Sequence, residues 1–163
     1  MRILALAVLL LISSGVHAAV EIKNQYFSLT LPGDWIEHPG SDAQQFVITS
    51  SARKAQVTVS ALPLNAKGRD LGLIADKMLE LRFKAEHDAA PDRKLSFETP
   101  WRSMPTGGGL QVNYMGHDSV GRYFFYTGFI TETGVTSVTG ELERGSEPAL
   151  HAFYKEVLSN FGY

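Results

Sequence analysis

Gly116-His117-Asp118-Ser119-Val120-Gly121 sets an imidazole, a carboxylate and a hydroxyl side by side, the three groups of a serine-hydrolase relay. The spacing argues against that chemistry. A nucleophile elbow needs glycine two residues before and two after its serine, on a strand-to-helix turn. Here His117 takes the first of those positions, and the segment joins two strand-like runs. Adjacent side chains cannot line up as a relay, so the stretch is read as a hairpin turn built by Asp, Ser and Gly. His38, His87, His117 and His151 are dispersed, without the close spacing of a histidine metal pair. They are read as exposed non-ligands, and no metal site is assigned. Gly107-Gly108-Gly109 precedes a strand and is followed by no Gly-Lys-Ser/Thr. It therefore lacks the helix N-terminus of a phosphate cradle, and no cofactor is expected.

What remains is recognition chemistry. Trp101, Arg102 and Met104 lie in a stretch bounded by Pro100 and Pro105, and prolines confine such a stretch to a sheet edge or a bulged continuation. Aromatic and arginine side chains at an edge are frequent interface anchors, with plain edge packing as the competing account. His117, Asp118 and Arg122 form a second candidate rim. Arg82, Lys84 and Glu86 are read as a solvated helix face.

These residues need a frame. Val20–Lys23, Tyr26–Leu31, Ala55–Leu62 and Lys94–Thr99 show the two-residue alternation of half-buried strands, and Gln45–Ser50 is read as the strand that pairs with Ala55–Leu62. Ser51–Lys54 is the loop of a hairpin, and Gly40–Asp42 marks a further turn. Gly107–Arg144 holds a three-strand meander: Leu110–Met115, Arg122–Ile130 and Val135–Leu142. Its middle strand is bulky on both faces, with Tyr123, Phe125 and Phe129 on one and Phe124, Tyr126 and Ile130 on the other. That pattern places it inside a sheet covered on both sides. Two helices can supply the covers. Leu71, Ile74, Ala75, Met78, Leu81 and Arg82 recur at helical spacing after Asp70, a capping residue, and the helix runs to about His87. Leu73, Leu79 and Phe83 widen its stripe. Ser146 and Pro148 open a second helix carrying Leu150, Phe153, Tyr154, Val157, Leu158 and Phe161, with Gly162 as its expected cap. The class is α+β: a mostly antiparallel sheet with helices packed on its faces. Trp35 is expected in the core.

Residues 1–18 stand apart. Met1-Arg2 leads into ten apolar residues, Ile3 to Ile12, then Ser13-Ser14-Gly15 and Val16-His17-Ala18. This is the layout of a secretory signal peptide cut after Ala18, and ten residues fall short of the ~20 that span a bilayer. Residues 19–163 are then one domain, periplasmic or secreted. The chain of 163 residues has no cysteine and a net charge of −2. Thiol chemistry is excluded, and with no basic block nucleic acid is a poor partner.

Tyr26-Phe27-Ser28-Leu29-Thr30-Leu31-Pro32-Gly33-Asp34-Trp35 resembles the opening hairpin of the PsbP-like (Mog-type) family, in which alternating apolar residues lead to Pro-x-x-Trp. Gly121 to Phe161 resembles its closing part, ending in Ser159-Asn160-Phe161. That family includes the extrinsic subunit of photosystem II, bacterial periplasmic proteins of the DcrB kind and a nuclear-import cofactor. The resemblance implies an α/β/α sandwich and binding of other proteins rather than catalysis. The expectation is therefore an exported, non-enzymatic protein-binding module, such as an envelope assembly accessory or an inhibitor or immunity-type factor. The alternatives are a small-ligand carrier, with an apolar pocket between the sheet and the first helix, and a secreted hydrolase using His117 and Asp118 with a serine from elsewhere.

Overall fold

Phe124 and Phe125 are neighbours on one strand, and both are completely buried, so the sheet that carries them has a core on each face. The computed structural model describes residues 19–38, 44–105 and 107–163. The signal-peptide assignment at residues 1–18 and the turn at Gly40–Asp42 lie outside the described residues.

The elements in chain order are β1 (Val20–Lys23), β2 (Ser28–Leu31), β3 (Ile36–His38), β4 (Gln45–Ser50), β5 (Ala55–Pro63), α1 (Leu71–Ala89), β6 (Leu95–Phe97), β7 (Trp101–Ser103), β8 (Leu110–Asp118), β9 (Tyr123–Ile130), β10 (Gly134–Leu142), α2 (Glu147–Ser159) and β11 (Phe161–Gly162). Eight strands form an antiparallel sheet in the order β3-β4-β5-β10-β9-β8-β6, with β7 also paired to β8. β6 and β7 are consecutive pieces of one bent edge, opposite Gly116–Asp118 and Gln111–Asn113 of β8 respectively. The break between them holds Pro100, which cannot donate to the ladder. β1, β2 and β11 make a separate three-stranded sheet, which corrects the expectation of a single sheet.

One core fills the side of α2. It joins Phe125, Phe129, Val138 and Met115 of the main sheet to Leu150, Phe153 and Val157 of α2, and to Leu29 and Leu31 of the small sheet. Trp35 stacks on Phe153 at 5.8 Å within this core. The other core lies under α1, where Ala75, Leu79 and Phe83 meet Tyr114, Phe124, Tyr126 and Ile130. Full burial of a phenylalanine contributes about 1.5–3 kcal/mol, so β9 anchors both layers at once. The Phe125 ring lies across Gly140 on β10, where an added Cβ would fall 2.1 Å from it. Phe124 lies likewise across Gly116 on β8, at 2.8 Å. Glycine is required at both crossings because the ring occupies the space of a side chain.

Asp70 caps α1 by accepting from the Gly72 N–H at 2.7 Å, and Ser146 caps α2 by accepting from the Ala149 N–H at 3.4 Å. Gly162 is not the helix cap expected of it. Asn160 takes that place, and Gly162 pairs with Ser28 in the small sheet. Leu81, expected in the buried stripe of α1, is 54% exposed, and Leu73 is 69% exposed.

Candidate functional site

α1 packs chiefly on β8 and β9, and beside it the same face of β5 and β10 is mostly polar. Alternation puts Gln56, Thr58 and Ser60 of β5 on that face, directly opposite Glu141, Thr139 and Ser137 of β10. Facing residues are thus polar where the helix is absent and aromatic where it is present. A polar cavity of about 350 Å³ is lined by Gln45, Thr58, Ser60, Ser137, Thr139 and Glu141, with Arg82 of α1 as its wall. Arg82 donates to the Thr139 hydroxyl at 3.0 Å and lies over the Tyr126 ring at 5.0 Å.

The opposite, outer flank of the α1 contact is apolar. Leu73, Ile74, Met78 and Leu81, with Arg69, Asp70 and Lys77, line an open depression of about 500 Å³. Steps of three and four residues put these side chains on one strip of the helix. Ile74 and Met78 reach down to the core, while Leu73 and Leu81 point outward. The apolar ligand pocket expected between sheet and helix is not there among the described residues. Phe83, Phe97, Tyr114 and Phe124 fill that space with ring contacts of 4.6–6.4 Å.

The sequence-derived candidates fall in different settings. Trp101 is half-buried and meets Tyr154 of α2 edge-on at 5.9 Å. Arg102, on the other face of the same strand, pairs with Asp76 of α1. The edge β7 is therefore clasped by both helices. Met104 is 84% exposed. His117 is exposed and stacks on Tyr123 at 5.2 Å.

Asp118 and Arg122 are an internal pair rather than an open rim. Asp118 ends β8 with its carboxylate fully buried, accepting from the backbone N–H groups of Val120 and Arg122 at 3.0 Å each and from Arg93 at 2.9 Å. Burial works to raise its pKa and is outweighed by these hydrogen bonds, so the carboxyl titrates below the usual aspartate range. Arg122 reaches Asp118 at 3.3 Å, Glu86 of α1 at 2.9 Å and Glu141 of β10 at 3.3 Å, with its guanidinium 4.5 Å above the Phe124 ring. Burial would lower the Arg122 pKa, but its carboxylate partners raise it. Arg82 and Glu86 were expected in solvent. Both instead turn toward the sheet, and Glu86 is buried because Arg122 neutralises it. Lys84 alone of the three stays on the outer face, paired with Asp88. His117 and Asp118 lie on opposite faces of β8, and the Asp118 carboxylate is taken up by Arg93, Arg122 and two backbone N–H groups rather than by the imidazole.

Folding also assembles a group that dispersed histidines concealed. Ligand atoms of Glu98, Glu147 and His151 all lie within 4.8 Å of one another. The Glu147-x-x-x-His151 spacing on a helix carries that signal, which the spacing between histidines does not.

This architecture is the PsbP-like fold. It superposes on the solution structure of cyanobacterial PsbP (CyanoP) from Synechocystis sp. PCC 6803 with a TM-score of 0.68, 15% sequence identity, and coverage of 92% of this chain and 95% of that one. A crystal structure from Bacteroides thetaiotaomicron aligns at a TM-score of 0.41 and 13% identity, over 84% of this chain and 44% of that one. No family model matches the chain, and no curated protein does. Among the described residues, no helix is long and apolar enough to cross a membrane.

Proposed function

We propose that the protein is a non-enzymatic, exported module that binds another protein through the outer flank of α1. The observation that carries this is the strip of Leu73, Ile74, Met78 and Leu81, whose two leucines keep more than half of their surface in solvent. Clustered exposed apolar side chains rimmed by charge mark association surfaces, and here the rim is Arg69, Asp70 and Lys77. A partner fits this strip by inserting apolar side chains between the two leucines. The PsbP-like fold is compatible with such a role, and export is supported by the leader-like layout of residues 1–18.

The test is affinity capture from cell-envelope extract with the mature chain and with a Leu73→Ser/Leu81→Ser variant. The proposal predicts one partner retained by the parent and lost by the variant, at unchanged thermal stability. Capture that is identical for both, or a stoichiometric small molecule in place of a protein, overturns it. N-terminal sequencing of the exported form should begin at Ala19.

A further inference from the structure

A pocket of about 200 Å³ opens on the α2 side of the sheet, where the start of that helix meets the bent edge. Glu98, His117 and Glu147 are among its walls. We propose that Glu98, Glu147 and His151 bind a divalent transition-metal ion of the Zn²⁺ class, with His117 on the wall of the adjoining pocket.

Glu147 and His151 are one turn apart on α2, so they project from one face and present a carboxylate and an imidazole together. Glu98 comes from a different element. It sits between β6 and β7, where its N–H donates to the Met115 carbonyl at 2.9 Å, so its backbone is tied to β8. His117 is on β8 itself, and its ring is held against Tyr123. The site therefore draws on three elements whose backbones are fixed by the sheet and by helix packing.

The separations fit an ion. Zinc binds oxygen and nitrogen at about 2.0–2.2 Å, which sets tetrahedral ligand atoms roughly 3.3–3.6 Å apart around it. The three ligand atoms here lie within 4.8 Å, and exposed side chains close the difference by small rotations. Charge points the same way. Two carboxylates face each other across the site, and neither lysine nor arginine lines the pocket. Such a pair is relieved by a cation between them. Mixed imidazole and carboxylate ligands select zinc-like ions, whereas Mg²⁺ and Ca²⁺ call for all-oxygen shells. The site is on the opposite face of the sheet from the α1 strip and stands independently of the protein-binding proposal.

Titration calorimetry of the chelator-treated chain with ZnCl₂, MgCl₂ and CaCl₂ tests it. One Zn²⁺ should bind per chain, with no comparable heat from the other two salts. Affinity should fall about tenfold or more in Glu98→Gln and in His151→Ala, and less in His117→Ala. Zn²⁺ should also raise the melting temperature of the parent and leave that of a Glu98→Gln/His151→Ala variant unmoved. Absence of Zn²⁺ uptake by the parent overturns the site, as does uptake that persists unchanged in the double variant.

Discussion

Replacing Arg122 by methionine should destabilise the fold by about 3 kcal/mol, the lower end of the range for removing one partner of a buried ion pair. Arg122 is 16% exposed, and its partners Glu86 and Asp118 are 8% and 0% exposed. The loss is held to the lower end because each carboxylate keeps some compensation. Asp118 retains Arg93 at 2.9 Å and two backbone donors, while Glu86 retains Arg82 at 3.9 Å. Methionine preserves much of the packing over Phe124, so the cost falls on the stranded charges. Urea unfolding with unchanged slope should show the difference directly. Thermal unfolding should drop by roughly 6–12 °C, at 2–4 °C per kcal/mol for a chain of about this size. Adding Glu86→Gln to Arg122→Met should recover part of the loss, whereas Glu86→Gln alone should be destabilising. A loss below about 1 kcal/mol for Arg122→Met, or strict additivity of the two changes, would refute the assignment of Arg122 as the neutraliser of Glu86.

Two other outcomes follow from the core and from acid titration. Gly140→Ala should cost about 1–3 kcal/mol, measured by urea unfolding, because its Cβ would displace the Phe125 ring from a close-packed layer; a neutral result would mean that the ring has a second resting place. The carboxyl of Asp118 titrates lower in the folded chain than in the unfolded one. Its contribution to stability is therefore complete above the unfolded value of about 4 and is lost as pH falls through the folded value. Melting temperatures between pH 3 and pH 7 should fall toward acid more steeply in the parent than in Asp118→Asn.

The fold was legible where a single periodicity governed a segment. The two-faced β9, the capped start of each helix and the buried Trp35 were all visible, because each depends on near neighbours in the chain. Three features were not. The small sheet requires β11 to return to β2, and no local pattern signals a pairing between chain segments so far apart. Glu86 and Arg82 looked like surface residues because their burial depends on Arg122 and Tyr126, which arrive from other strands. The apolar stripe of α1 is wider than the surface it buries, leaving Leu73 and Leu81 exposed, since periodicity shows which side chains could be buried but not how much sheet lies beneath them. As for the site, the stretch from Pro100 to Pro105 reads as an edge segment or a bulged continuation, and Trp101 and Arg102 do lie on the edge strand β7, with Met104 just beyond it. The sequence did not disclose that Trp101 and Arg102 serve opposite helices. His151 reads as an exposed non-ligand in the sequence because its neighbours in the cluster are glutamates rather than histidines.

The closure of the small sheet by β11 has a consequence for the order in which the molecule is made. Leu29 finds its neighbour Phe161 only at the far end of the chain. At synthesis rates of about 5–20 residues per second, the hairpin β1–β2 waits on the order of ten seconds for that strand. Through that interval Leu29 and Leu31 lack both the α2 core and their third strand, and the N-terminal ribbon is too small to hold itself together. Newly emerging chains must therefore pass through a stage with an unfinished, apolar leading end. Shielding of that end during biogenesis would matter more for this protein than any acceleration of its final folding step.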